Sequence, residues 1–148
     1  MIFKEVLRPP IWVLAFIYFL LLSLVIAIWA AFGSLLTIYT FIIATVALIY
    51  IAFKMRSIIS ITTEELRIDN AHIDLKYLGE VTVLDASAMR LLRTRDANPA
   101  AYLAIKFWTP TGIKIELKDP RDPTPYWLIT SKRGQEIAAL LNNSRLIN

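Results

Sequence analysis

The chain has 148 residues, 57 % of them hydrophobic, with a formal net charge of +4 and no cysteine. A composition this apolar at this length excludes an ordinary soluble domain, and the missing cysteine excludes disulfides, thiolate metal sites and cysteine nucleophiles. Of the 16 Lys and Arg, Lys4, Arg8, Lys54 and Arg56 flank one uncharged run, as does Glu5 among the 12 acids, so 12 bases and 11 acids follow Arg56. The basic excess therefore sits beside that run, which leaves no electrostatic footprint for DNA or RNA in the remainder.

Residues 1–8 form a short amphipathic lead, in which Ile2, Phe3, Val6 and Leu7 are mixed with Lys4, Glu5 and Arg8; its expected place is the membrane interface. Pro9-Pro10 follows, and proline fits a first helical turn because its missing N–H would lack a partner there. From Ile11 to Phe53 there is no charged residue. A bilayer core of roughly 30 Å needs about twenty residues at 1.5 Å each, so the run is about twice too long for one span. It divides at Gly33-Ser34 into spans over 11–32 and 35–53, a helical hairpin occupying a 1–56 anchor region. A cleaved signal sequence would have a shorter apolar region and no second span directly after it.

Small residues recur at four-residue spacing in both spans: Ser23, Ala27 and Ala31 on the first, Thr40 and Ala44 on the second. Small faces let helix backbones approach closely, so these five residues are the expected seam of the hairpin. Lys4, Arg8, Lys54 and Arg56 form a lipid-facing basic flank at one side, while the loop between the spans is uncharged. By the positive-inside tendency both termini are expected in the cytoplasm, in a multi-pass protein of the inner membrane.

No linker precedes the second region, 57–148. Ser57–Thr62 is rich in Ile, Ser and Thr and reads as a strand, followed by Leu66–Ile68, a turn at Asp69-Asn70, and an alternating strand over Ala71–Leu75. Tyr77–Leu84 continues through Gly79. Asp85 is placed to cap a helix through Arg95 whose apolar face is Ala88, Met89, Leu91 and Leu92. Leu103–Trp108 and Ile113–Lys118 alternate on either side of Thr109-Pro110-Thr111-Gly112, which predicts a hairpin. The proline-rich segment Asp119–Pro125 cannot pair in a central strand and is expected at the surface. Tyr126–Thr130 is the last strand, and a helix from Ser131 packs Ile137, Leu140 and Leu141 on the core. The expected fold is a membrane α-helical hairpin plus a cytoplasmic mainly-β domain of six or seven antiparallel strands with a C-terminal helix, arranged as a pleckstrin-homology-like barrel.

His72 is the single histidine and faces outward by strand alternation; without a second histidine or a cysteine it has no convergent partners for catalysis or metal binding. The serines lie in no nucleophile-elbow pattern and the glycines in no phosphate-cradling loop. No catalytic residue, metal or cofactor is expected. Arg121 with Tyr126 and Trp127 is the one place where a rigid loop, a cation and large aromatics coincide, the composition of a binding surface. The plainer account of Trp127 is that it fills the core.

The run Asp119-Pro120-Arg121-Asp122-Pro123-Thr124-Pro125-Tyr126-Trp127-Leu128-Ile129, followed by Thr130-Ser131-Lys132-Arg133, resembles the signature of an uncharacterised actinobacterial membrane-protein family catalogued only as a domain of unknown function. Pro9-Pro10-Ile11-Trp12, Gly79-Glu80-Val81 with Leu84-Asp85, and Ala101-Tyr102-Leu103 extend the resemblance over nearly the whole chain. It implies a membrane location and an actinobacterial source. It assigns no activity and carries over no functional residue.

The expected function is that of an integral membrane protein presenting a cytoplasmic β-rich binding or scaffolding module, in contact with membrane lipids and with another membrane or envelope protein. The alternative is a domain that reads anionic lipid headgroups, using Lys54, Arg56, Lys114, Lys118 and Arg121. An enzyme would require a pocket gathering His72 with two or more carboxylates. The sequence does not specify an oligomeric state.

Overall fold

Pro9 and Pro10 mark the point where an extended chain becomes helical. In the computed structural model, which describes the backbone of residues 2–147 and side chains as far as Asn143, Pro10 is extended (φ −68°, ψ 153°) and helix α1 (Ile11–Phe32) starts directly after it. Met1 and Asn148, assigned above to the lead and to the second region, lie outside the described residues. Gly33 separates α1 from α2 (Ser34–Lys54) with φ +80°, a conformation that disfavours any residue with a Cβ. The expected hairpin break is therefore where the structure places it.

Leu7–Ser57 forms one compact unit, and Met1–Val6 together with Ile58–Asn148 forms another. In the first unit α1 and α2 pack on each other, and both are long and apolar enough to cross a membrane. Thr37, Thr40 and Thr45 turn their hydroxyls onto carbonyls one turn back, Gly33, Leu36 and Phe41, at 2.8, 2.9 and 3.0 Å. These polar groups are thereby satisfied inside their own helix, as an apolar environment demands.

The expected seam is only half present. On α2, Ala44 is buried and Thr40 half-buried, but Ser23, Ala27 and Ala31 of α1 are exposed. The covered stripe of α1 is instead Val13, Ile17, Leu21, Val25 and Ile28, larger residues on the other side of that helix. Small residues on one partner already permit close approach, so α1 is free to present bulk to them.

The lead is a strand of a sheet and not a free amphipathic segment. Phe3–Leu7 is strand β1, with Phe3, Glu5 and Leu7 buried while Ile2, Lys4, Val6 and Arg8 are exposed. It belongs to a four-stranded sheet in the order β1-β2-β3-β4, with β2 (Ser57–Ile61), β3 (Glu65–Ile68) and β4 (Ala71–Asp74). The Ile2 N–H donates to the Ile61 carbonyl at 2.8 Å. The β-rich unit thus includes the N-terminus, against the expected 57–148 boundary. Asp69, in the left-handed region at φ 52°, closes the β3–β4 turn and accepts from the Ile58 N–H at 2.8 Å.

A single 3-10 turn, Leu75–Tyr77, leads to the second sheet, formed by β5 (Leu78–Leu84), β6 (Tyr102–Ala104), β7 (Gly112–Leu117) and β8 (Tyr126–Thr130) in the order β5-β7-β8-β6. Asp85 caps α3 (Ala86–Arg93) by accepting from the Ala88 N–H at 2.7 Å, as its position before the apolar face predicts. The expected hairpin of 103–108 with 113–118 does not form. β7 is flanked by β5 and β8, so β6 takes the free edge of β8, parallel to it. Thr130 fixes where β6 ends: its Oγ1 accepts from the Lys106 N–H at 3.0 Å and donates to the Ala104 carbonyl at 3.3 Å. The strands are therefore not all antiparallel, and the two sheets do not close into a barrel.

The core gathers Ile59, Ile61, Leu66 and Ile68 from the first sheet with Ile113, Ile115, Leu128 and Ile129 from the second, all essentially inaccessible. β8 is buried at every position, consistent with its interior place and its almost continuous apolar run. Helix α4 (Gly134–Ile147) begins three residues later than expected and buries Ile137, Ala138 and Leu141, with Leu140 only half-buried.

Candidate functional site

The proline-rich connection between β7 and β8 lies at the surface, and its cation is paired. Arg121 folds back on Asp119 through Nε–Oδ1 at 3.2 Å and Nη2–Oδ2 at 3.3 Å, and its backbone N–H donates to the same carboxylate at 2.9 Å. Nη2 also donates to the Tyr77 hydroxyl at 3.1 Å, with the guanidinium 5.3 Å from that ring's centre. The Arg121 side chain holds the Asp119 carboxyl below the usual carboxylate range, and Asp119 raises Arg121 in turn. The Pro residues keep this short loop in the geometry that makes the pairing local.

Tyr126 and Trp127 are core residues, 8 % and 5 % exposed. Trp127 packs on Tyr102 with ring centres 4.9 Å apart, and the Lys114 ammonium lies 5.0 Å over the Tyr126 ring. Of the expected triad, Arg121 and Trp127 line one cleft while Tyr126 does not, and both aromatics are largely covered because the strand that carries them is central. That cleft is about 210 Å³, and its outer wall is His72, Asp74, Tyr77, Arg121 and Asp122. His72 is exposed and registers opposite Arg67 across β3 and β4. Asp74 pairs with Lys76 at 2.9 Å and raises that ammonium's pKa, chiefly through the hydrogen bond. Among the described residues no three His, Asp or Glu are grouped to hold a metal.

A larger cleft, about 440 Å³, opens where β5 and β7 meet the start of α4, with Gly112, Ser131 and Gln135 in its wall. Gly112 has no room for a side chain, since a Cβ would run into the Ile129 carbonyl oxygen and meet Met89 Cε at 2.9 Å. Ser131 is buried and donates to Glu5 Oε2 at 2.5 Å, while Glu5 Oε1 accepts from the Lys132 N–H at 3.0 Å. The sequence reading missed Glu5. Its alternation with Phe3 and Leu7 was the available signal for a strand with a carboxylate on its covered face.

The third opening, about 770 Å³, lies along α3 and is walled by Arg90, Arg93, Phe107 and Pro110. Phe107 is 61 % exposed and packs edge-on against Trp108 at 4.9 Å. At the helical unit, Arg8, Lys54 and Arg56 are exposed; Lys54 lies 5.9 Å over Tyr50 and Arg56 4.4 Å over Phe53. Lys4 is exposed too, but on β1 within the β-rich unit.

No curated protein and no solved structure matches the chain. A family model described as protein of unknown function (DUF3093) matches residues 2–141, and the chain belongs to that family.

Proposed function

We propose that the protein is an integral membrane protein whose helical hairpin holds a cytoplasmic β-rich binding or scaffolding module at the inner membrane. One observation carries this reading: β1 and β2 are neighbours in one sheet, β1 runs into α1 and β2 leaves α2, so two apolar helices are inserted inside the β-rich unit rather than hung from its end. Only Arg8-Pro9-Pro10 and Met55-Arg56 intervene. In this reading the two sheets and the closing helix form a pleckstrin-homology-like module, from which the parallel β6–β8 pair and the open sheets depart. The partner in this reading is another membrane or envelope protein, met at the exposed wall around His72, Arg121 and Asp122, and no catalytic step is part of it.

The test is photo-crosslinking in intact cells from positions 72 and 122, with position 80 on the exposed side of β5 as comparison. A single protein captured from 72 and 122 supports the reading. Capture of nothing beyond what position 80 gives sinks it. Thiol labelling of a cysteine at position 118, reactive only after the inner membrane is opened, checks the orientation.

A further inference from the structure

The charges after Arg56 nearly balance in number, but the structure does not balance them evenly. Arg67, Lys76, Lys114, Arg121 and Arg133 each meet a carboxylate at 2.6 to 3.4 Å. Arg90, Arg93 and Arg95, on α3 or directly after it, make no ion pair and no side-chain hydrogen bond among the described residues. The hydroxyls beside them are engaged, Ser87 with Asp85 at 2.7 Å and Thr94 with the Arg90 carbonyl at 2.8 Å. The two guanidiniums of the α3 cleft, each with five N–H donors, are thus its available polar groups. Arginine in a last helical turn suits the negative end of the helix, but that uses its charge and none of its donors.

Exposed apolar groups accompany these cations. Phe107 stands in the cleft wall on an irregular segment between β6 and β7, and Leu91 of α3 is 47 % exposed. Cations interleaved with exposed apolar side chains suit a surface that meets anionic headgroups and the acyl boundary beneath them. Covalent reach supplies the source. Three residues separate β1 from α1 and two separate α2 from β2, so a bilayer holding the helices presents headgroups to this unit at high effective concentration.

We propose that the α3 cleft docks the headgroup of an anionic phospholipid, with Arg90 and Arg93 on the phosphate and Phe107 against the apolar part. This rests on the membrane anchoring proposed above; nanodisc incorporation, measured separately, reports failure of the anchoring itself. The experiment is native mass spectrometry of the full-length protein released from nanodiscs of mixed phosphatidylglycerol and phosphatidylcholine. Phosphatidylglycerol is retained over phosphatidylcholine, and Arg90→Gln/Arg93→Gln lowers that preference by about thirtyfold, the worth of two basic groups at an anionic surface. Phe107→Ser lowers retention without removing charge, and keeps the test decisive should the double variant fail to fold. Lys132→Gln, an exposed cation outside this cleft, leaves the preference unchanged. The proposal is overturned if folded Arg90→Gln/Arg93→Gln retains phosphatidylglycerol as the parent does, if Lys132→Gln alone abolishes the preference, if inorganic phosphate displaces the lipid at equal concentration, or if an acidic protein occupies the cleft instead.

Discussion

The carboxylate of Glu5 is tied to the hydroxyl of Ser131 at 2.5 Å, joining the middle of strand β1 to the residue that follows β8. Glu5 is 6 % exposed and also takes the Lys132 N–H, so one side chain fixes the N-terminal strand and the entry to α4 together. Arg133 continues the same join: its N–H donates to Ser131 Oγ at 3.0 Å and its guanidinium lies 4.6 Å over Phe3. Glu5→Ala strands a buried hydroxyl and a backbone N–H. The expected cost is about 2 kcal/mol. A double-mutant cycle with Ser131→Ala, read by thermal unfolding of the full-length protein, should show the two changes to be strongly non-additive.

Because β1 is a strand of the β-rich unit, residues 57–148 alone are not an independent domain. Their first sheet lacks Phe3 and Leu7, 5 % and 3 % exposed in the whole protein, at about 1.5–3 kcal/mol for each buried side chain. A chain in which a short polar turn joins Leu7 directly to Ser57 should be soluble and give dispersed amide resonances. The 57–148 fragment should aggregate or give a collapsed spectrum. A well-folded fragment would show that β1 contributes little.

Gly112 should tolerate no side chain. Its Cβ would enter the space of the Ile129 carbonyl, a backbone atom that cannot move without breaking the β7–β8 ladder. Gly112→Ala is expected to destabilise by about 3 kcal/mol, at the upper end for an overpacked site. Gly33→Ala meets nothing within 4 Å and suffers only its backbone conformation, φ +80° with ψ −173°, about 1–3 kcal/mol. The order of the two, measured by denaturation in the same detergent, is the check.

Two carboxylates are expected to contribute to an acid limb of stability. The Asp85 pKa is lowered first by the Ala88 N–H and then by the Ser87 hydroxyl, and the Asp119 pKa is lowered by Arg121. A depressed folded pKa means that the unfolded chain binds the proton first. The stabilisation from each is therefore complete above the ordinary carboxylate value of about 4 and is lost as pH falls through the depressed folded value. Asp85→Asn and Asp119→Asn should each flatten the decline of melting temperature below about pH 4. An acid limb identical to the parent's would refute the assignment.

On the helices, Ala44→Phe should disrupt the hairpin because Ala44 is 6 % exposed, whereas Ala27→Phe should be accepted because Ala27 is exposed. Proteolysis and thermal unfolding of both variants in detergent separate the two. The reverse result would restore the Ser23, Ala27 and Ala31 face as the seam.

The sequence by itself determined whatever is local. An uncharged run of fixed length, broken by one glycine, specifies two helices; Asp85 before an apolar face specifies a cap; the prolines of 119–125 specify a surface connection, since none can donate to a ladder. Only the tertiary structure decided which strands pair. Alternation around Thr109-Pro110-Thr111-Gly112 is equally compatible with a hairpin and with two strands of different neighbours, and the occupation of both edges of β7 by β5 and β8 settled it. The same holds for the sites. Trp127 is buried because β8 became central, Arg121 met Tyr77 across 44 residues, and Glu5 found Ser131 across 126. Such pairings depend on distances that folding creates, and no spacing along the chain encodes them.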